Sequence, residues 1–257
     1  MKHKRLIIAT TILVFTMVCA LSLKELFKVQ DITVEYLVSS TEASEDVLVL
    51  LDKYKGKSIF SIDEQKIIDE ITANRYLKVN SVEKKYPNEL VINLSERIEK
   101  YYYISEDSKV YFFDEEFFVV RSSDNLANEE QILTQICFEH IEGQTIYPSC
   151  ELKSTFVFTN QKNADLSLIM SEASSVSEQI KKITFVFTPE AGNYYIRIMM
   201  QEGATIEIRK AGESLAEKVN VGVSYYLSLE EKRKIDGAVI VQKAEGGAIN
   251  AHHTYKP

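Results

Sequence analysis

Three residues that can do chemistry, Cys137, His140 and Cys150, fall close together in a chain of 257 residues. On a helix, Cys137 and His140 would share a face, as a nucleophile and its base must. No acid stands at a spacing that would orient the imidazole. As zinc ligands the three lack a fourth partner and any paired Cys-x-x-Cys motif. The acidic runs Asp114-Glu115-Glu116 and Glu129-Glu130 lack the alternating oxygen spacing of a calcium loop and read as solvated turns. No Gly-rich phosphate loop occurs. Tyr101-Tyr102-Tyr103 reads as strand residues, half core and half surface, with a carbohydrate platform as the alternative. His252 and His253 fall in a polar tail. These residues predict no catalytic group, no metal and no cofactor.

The elements that carry them divide the chain. Lys2, Lys4 and Arg5 precede Leu6 to Leu23, an 18-residue run without a charge. As a helix it would measure about 27 Å, close to a bilayer's hydrocarbon thickness. The basic flank predicts a cytoplasmic N-terminus and an uncleaved single-pass anchor. A cleaved secretory signal ending near Val18-Cys19-Ala20 is the rival reading, and either one exports residues 24–257. Beyond the run stand 27 basic and 38 acidic residues. That acidic balance, without a basic face, argues against a nucleic-acid partner. Export permits a Cys137–Cys150 disulfide, but two unpaired cysteines fit the spacing as well.

In the exported part, Val29 to Val38 alternates as a strand, with Ile32, Val34 and Tyr36 on one face. Ser44 is placed to cap a helix carrying Val47, Leu48, Leu50 and Leu51, which Gly56 ends. Ser61 to Glu64 reads as a capping box for a second helix through Ile67, Ile68 and Ile71. Strand-like runs Val79 to Tyr86 and Glu89 to Arg97 meet at Pro87-Asn88, the second burying Leu90, Ile92 and Leu94. Further on, Lys100 to Ile104, Lys109 to Asp114 and Phe117 to Arg121 read as strands. Helical spacing covers Asp165 to Lys182. Strands follow at Ile183 to Thr188, Tyr194 to Met200 and Thr205 to Arg209. Ser214 to Glu217 is placed as a capping box for a helix toward Leu229. A last strand, Ala238 to Lys243, precedes a tail at Gly246-Gly247.

The stretches FKVQDITV, GKSIFSID and LKVNSVEKKYPNELVINLSERIEKYY, with Pro87 and Glu96-Arg97, resemble the FtsQ-type POTRA domain of the bacterial FtsQ/DivIB cell-division family. Asp114-Glu115-Glu116-Phe117 stands where the family's next hairpin has Asp-x-x-Gly, and Lys218 falls at a helix lysine of the family's β domain. The resemblance implies an α+β chain: a short cytoplasmic tail (1–5), a single N-terminal transmembrane helix (6–23), a POTRA domain of order β-α-α-β-β (24–97), a mixed β domain with flanking helices (98–245) and a flexible C-terminal tail (246–257). It further implies a non-enzymatic divisome scaffold in the cell membrane, septal during division, that docks the FtsB/DivIC–FtsL pair. Through that pair it would act indirectly on the septal peptidoglycan synthase. The docking strand it implies is Ala238, Val239, Ile240, Val241, Gln242 and Lys243, taken as a sheet edge. An exported cell-wall glycan-binding protein, using the tyrosines, is the alternative.

Overall fold

A computed structural model describes residues 12–17, 24–36, 41–126, 133–157, 160–189, 194–244 and 246–255. The chain forms two compact units, residues 1–97 and 98–257. Of the Leu6 to Leu23 run only residues 12–17 are described, as helix. Among the described residues no helix is long and apolar enough to cross a membrane.

The first unit has the order β-α-α-β-β. Strand β1 (Asp31–Tyr36) alternates exposed Asp31, Thr33 and Glu35 with half-buried Ile32, Val34 and Tyr36. Helix α1 (Thr41–Leu51) begins three residues before Ser44, which therefore lies inside it and is not its cap. Val47 and Leu51 enter the core, whereas Leu48 is exposed. The chain then turns through Gly56 at φ +78, a conformation that favours glycine. Helix α2 (Glu64–Ile71) is capped by Asp63, whose carboxylate accepts from the Lys66 N–H at 3.3 Å. The capping box expected at Ser61 is displaced because Ser61 belongs to a 3-10 turn, where its hydroxyl donates to the Ser58 carbonyl. Strands β2 (Leu77–Lys85) and β3 (Glu89–Glu96) pair antiparallel across the Pro87 turn, and β1 joins β3 in parallel. Leu90, Ile92 and Leu94 of the central strand are each 0% exposed.

The second unit is built on one nine-stranded sheet. Its strands are β4 (Tyr101–Ile104), β5 (Val110–Phe113), β6 (Val119–Ser123), β7 (Thr134–His140), β8 (Ile180–Phe187), β9 (Tyr194–Met200), β10 (Thr205–Ile208), β11 (Ala238–Lys243) and β12 (Ile249–Thr254). Helices α3 (Asn160–Glu172) and α4 (Leu215–Ser228) supply Leu166, Ile169, Val219, Val223 and Tyr226 to its main core. The spatial order is β12-β11-β10-β9-β8-β7-β4-β5-β6. Three features depart from the sequence reading. Strand β7 lies where the sequence pattern predicts no strand, and its Thr134, Ile136 and Phe138 alternate inward. The helix expected to run to Lys182 stops at Glu172, and after a 3-10 turn Ile180 already belongs to β8. Residues 249–254, expected in a flexible tail, form β12.

A buried polar group ties α3 to the sheet. The Tyr194 hydroxyl donates to Asp165 Oδ2 at 2.5 Å, and Lys162 Nζ lies 3.3 Å from the same oxygen. The amine also sits 2.8 Å from the centre of the Tyr194 ring, a cation–π contact. Burial pushes the Lys162 amine below its usual range and the Tyr194 phenol above its own.

Two outcomes follow from this packing. Ile92→Ala removes a fully buried branched side chain and should cost about 2–5 kcal/mol, measured by denaturant unfolding; an unchanged midpoint would mean that β3 does not carry the core. The second concerns alkali. Burial, then the acids Glu115 and Asp114, pushes the Tyr101 phenol up to about 12, and burial with the Glu70 hydrogen bond does the same for Tyr54. A phenol raised above its unfolded value of about 10 contributes stability that is complete below that pH and lost as pH climbs toward about 12. The buried lysines Lys162 and Lys218, whose values are lowered, work in the opposite direction. Tyrosinate absorbance should therefore rise in two stages, the later one together with loss of circular dichroism. Ionisation of every tyrosine near pH 10 with intact dichroism would contradict the burial.

Candidate functional site

The residues singled out for chemistry are not brought together. Cys137 and His140 lie on β7, where positions three apart point to opposite faces. The Cys137 side chain is half-buried and burial raises its thiol, while His140 is exposed. Cys150 packs against the main core, and burial lifts its thiol up to about 12. Both cysteines are free. Among the described residues no group of three His, Cys, Asp or Glu side chains could hold a metal ion. Asp114 is 4% exposed, and its carboxylate accepts from the N–H groups of Glu116 and Phe118, both at 2.9 Å. It builds the β5–β6 turn. The tyrosine triplet is also spoken for. Tyr101 and Tyr103 enter the main core, and Tyr102 packs with Val110, Phe112 and Leu133 on the other face. No face of the three is left to stack on a sugar.

What remains is the C-terminal side of the sheet. Strand β11 exists over the expected residues but is not an edge. It pairs in parallel with β10 and antiparallel with β12. Its β-branched residues explain the position: Val239 and Val241 are both 0% exposed beneath α4. Ala238, Ile240 and Gln242 alternate with them on the opposite face. The edge reading of Ala238 to Lys243 is therefore replaced by an edge at β12.

A parallel β10–β11 pair needs a crossover, and α4 supplies it. Two residues seat the helix. Gly222 faces the sheet so closely that an added Cβ would lie 2.8 Å from Ile206 Cγ2 and 3.0 Å from Val241 Cγ2. One turn earlier, Lys218 is 1% exposed, with Nζ donating to the Lys210 carbonyl at 2.6 Å and the Arg209 carbonyl at 3.2 Å. Burial lowers its amine, opposed by the charge of Glu213. Ser214, expected to cap the helix, marks its start correctly but makes no side-chain cap bond, because it lies in the left-handed region at φ 53. Lys218 ties that first turn to the end of β10. A cleft of about 940 Å³, lined by Lys218, Arg209, Glu213 and Tyr195, opens beside this turn. Among the described residues it holds no nucleophile–base pair.

The outer row of β12 follows from the register. Ala244 N–H donates to the Ala248 carbonyl at 2.8 Å, so the backbone of Ala248 faces β11. With a period of two, Asn250, His252 and Thr254 also turn their backbone groups to β11. The N–H and C=O groups of Ile249, Ala251 and His253 then face outward. Side chains of Ile249 and Ala251 pack against the main core, while Asn250 and His252 are exposed. The far end is pinned by Gly237 at φ +89, where a Cβ would strike the Thr254 carbonyl. The opposite edge, β6, differs: Val119 N–H donates to the Ser154 carbonyl at 2.9 Å, and Phe118 bridges Thr155. Among the described residues nothing covers β12 in the same way. The pair Gly246-Gly247, expected to open a tail, lies in the turn from β11 to β12: Gly247, at φ +87, donates its N–H to the Ala244 carbonyl at 2.9 Å.

Comparison with known proteins bears on the first unit. Residues 27–97 match the family described as POTRA domain, FtsQ-type. Over 71 residues the chain is 32% identical to a protein named cell division protein DivIB from Clostridium tetani (strain Massachusetts / E88). That match takes in 28% of this chain and 26% of the relative, so the chain spans about a quarter of the curated relative it matches.

Gly222→Val should overpack the helix–sheet contact and cost about 1–3 kcal/mol. Hydrogen exchange should show β11 and β12 losing protection before β8 and β9. Equal loss across the sheet would mean that α4 does not hold the last two strands.

Proposed function

From its FtsQ-type POTRA domain and its kinship with the FtsQ/DivIB cell division proteins, we propose that the chain is a non-enzymatic scaffold of the division machinery. Residues 24–257 stand on the outer face of the cell membrane, held by the uncharged Leu6 to Leu23 run, with the N-terminus cytoplasmic. During division it gathers at the septum and docks the FtsB/DivIC–FtsL pair. Through that pair it helps to recruit and regulate septal peptidoglycan synthesis. The observation that carries the docking role is the uncovered β12 edge. An incoming strand would gain backbone hydrogen bonds from Ile249, Ala251 and His253, with side chains supplying specificity. Ala238 to Lys243 contribute by supporting β12 from behind.

Proline separates the two rows, because it removes one N–H and is tolerated only where that group faces outward. Ala251→Pro should keep the melting temperature near the parent value and weaken binding to a soluble FtsB/DivIC–FtsL pair at least about tenfold, or about 1.4 kcal/mol. Val241→Pro, whose N–H faces β10, should damage fold and binding together. A folded Ala251→Pro protein that binds like the parent would remove β12 as the docking edge.

A further inference from the structure

An aromatic string crosses the surface of the first unit: half-buried Phe27 packs against the core, while Phe60 and Tyr86 stand outside it. The Phe27 and Phe60 rings are 5.0 Å apart between centres, and Phe60 and Tyr86 are 5.5 Å apart. Phe60 is 62% exposed, Tyr86 60% and neighbouring Leu26 47%. Backbone bonds fix these residues in place. Ile59 N–H donates to the Phe27 carbonyl at 2.8 Å, and Gln30 N–H donates to the Asn88 carbonyl at 2.9 Å. The 3-10 turn Ile59–Ser61 turns Ile59 wholly into the core and leaves Phe60 outside. A rigid, solvent-facing phenylalanine is costly in water, since its ring has no polar atom to satisfy.

The position of the string says what would cover it. Phe27 follows Leu23, the last residue of the uncharged run, by four positions. Even fully extended, four residues reach no more than about 14 Å, and residues 24–26 are helical, which shortens the span. The polar layer on each side of a bilayer is about 5–8 Å thick. If the run spans the membrane, the string is held at or beside that layer. Aromatic rings favour this zone, and lysines there extend their amines to lipid phosphates. Lys24 and Lys85, the latter adjoining Tyr86, are both exposed.

We propose that Leu26, Phe60 and Tyr86 form a membrane-interface seat, which rests the first unit on the lipid surface and fixes its tilt. This rests on the anchoring reading above. The ligand is the lipid interface itself, anionic headgroups included.

The chain contains no tryptophan, so a single introduced indole reports without background. Full-length Phe60→Trp, Tyr86→Trp and Tyr76→Trp proteins are reconstituted into vesicles of phosphatidylcholine and phosphatidylglycerol in equal parts. Each is compared with and without lipids brominated on the upper acyl chain. Tyr76 precedes β2 and lies a strand length, about 30 Å, from Tyr86. Tryptophan at 60 and 86 should shift to the blue and lose most of its emission to the brominated lipid, while tryptophan at 76 should keep its emission. Either of the first two variants suffices if the other does not fold. Unquenched emission from protein that survives an alkaline wash in the vesicle fraction overturns the seat and leaves the anchor standing. A blue shift without bromine quenching overturns it in favour of a protein contact. Loss of the protein to the alkaline wash overturns the anchor, and the seat with it.

Discussion

The close approach of α4 to the sheet at Gly222 is the constraint on which the C-terminal third depends. A parallel neighbour for β10 can be reached only by crossing over the sheet, and the crossover must bury an apolar helix face to be stable. Gly222 gives that face its distance, with no side chain between the helix and Ile206 or Val241. Lys218 gives it its direction, by spending two amine hydrogens on the carbonyls that end β10. Burying that lysine costs desolvation, which its lowered pKa records. Leaving both carbonyls without donors would also be expensive, on the order of 1–3 kcal/mol each. With α4 docked, β11 has a bed and β12 has a neighbour.

Much of this architecture is legible from period and punctuation. β3, β9 and β11 alternate or cluster β-branched residues between clear turn signals, and each is a strand where the pattern places it. Pattern and structure differ where local and tertiary signals part. Asn250, His252 and His253 make β12 look like a solvated tail, because only Ile249 and Ala251 of its inner row are apolar. Its strand identity comes from pairing with β11. Edge status is likewise a property of topology: the sequence of Ala238 to Lys243 contains nothing that says a further strand will fold back beside it. At α2, Ser61 and Asp63 are both competent caps. The 3-10 turn that occupies Ser61 decided between them.

The β5–β6 hairpin shows how a turn holds without a glycine. Phe117 stands in the left-handed region at φ 65, normally left to glycine. Such a backbone costs a non-glycine residue on the order of 1–3 kcal/mol. Two features offset it. Asp114 accepts two backbone N–H groups across the turn, and the Phe117 ring stacks 6.0 Å from Tyr101 at 6% exposure. The turn also positions Phe117 and Phe118 to receive residues 155 and 156, which cover this edge of the sheet. Local strain here supports the closure of one edge.

That closure sharpens the meaning of the other edge. An uncovered strand invites wrong partners, and proteins usually shorten it, charge it or cover it. β12 has six residues and no charge-bearing Lys, Asp or Glu, so it carries little built-in discouragement. Six residues offer only three outward backbone positions, too few to hold a free partner tightly once the entropy of ordering an extended chain is counted. A partner confined to the same membrane avoids most of that cost, because tethering turns the encounter into a nearly intramolecular one. The anchor and the edge are therefore coupled in the proposed function: the edge is weak enough to be safe in solution and sufficient once both chains share a bilayer.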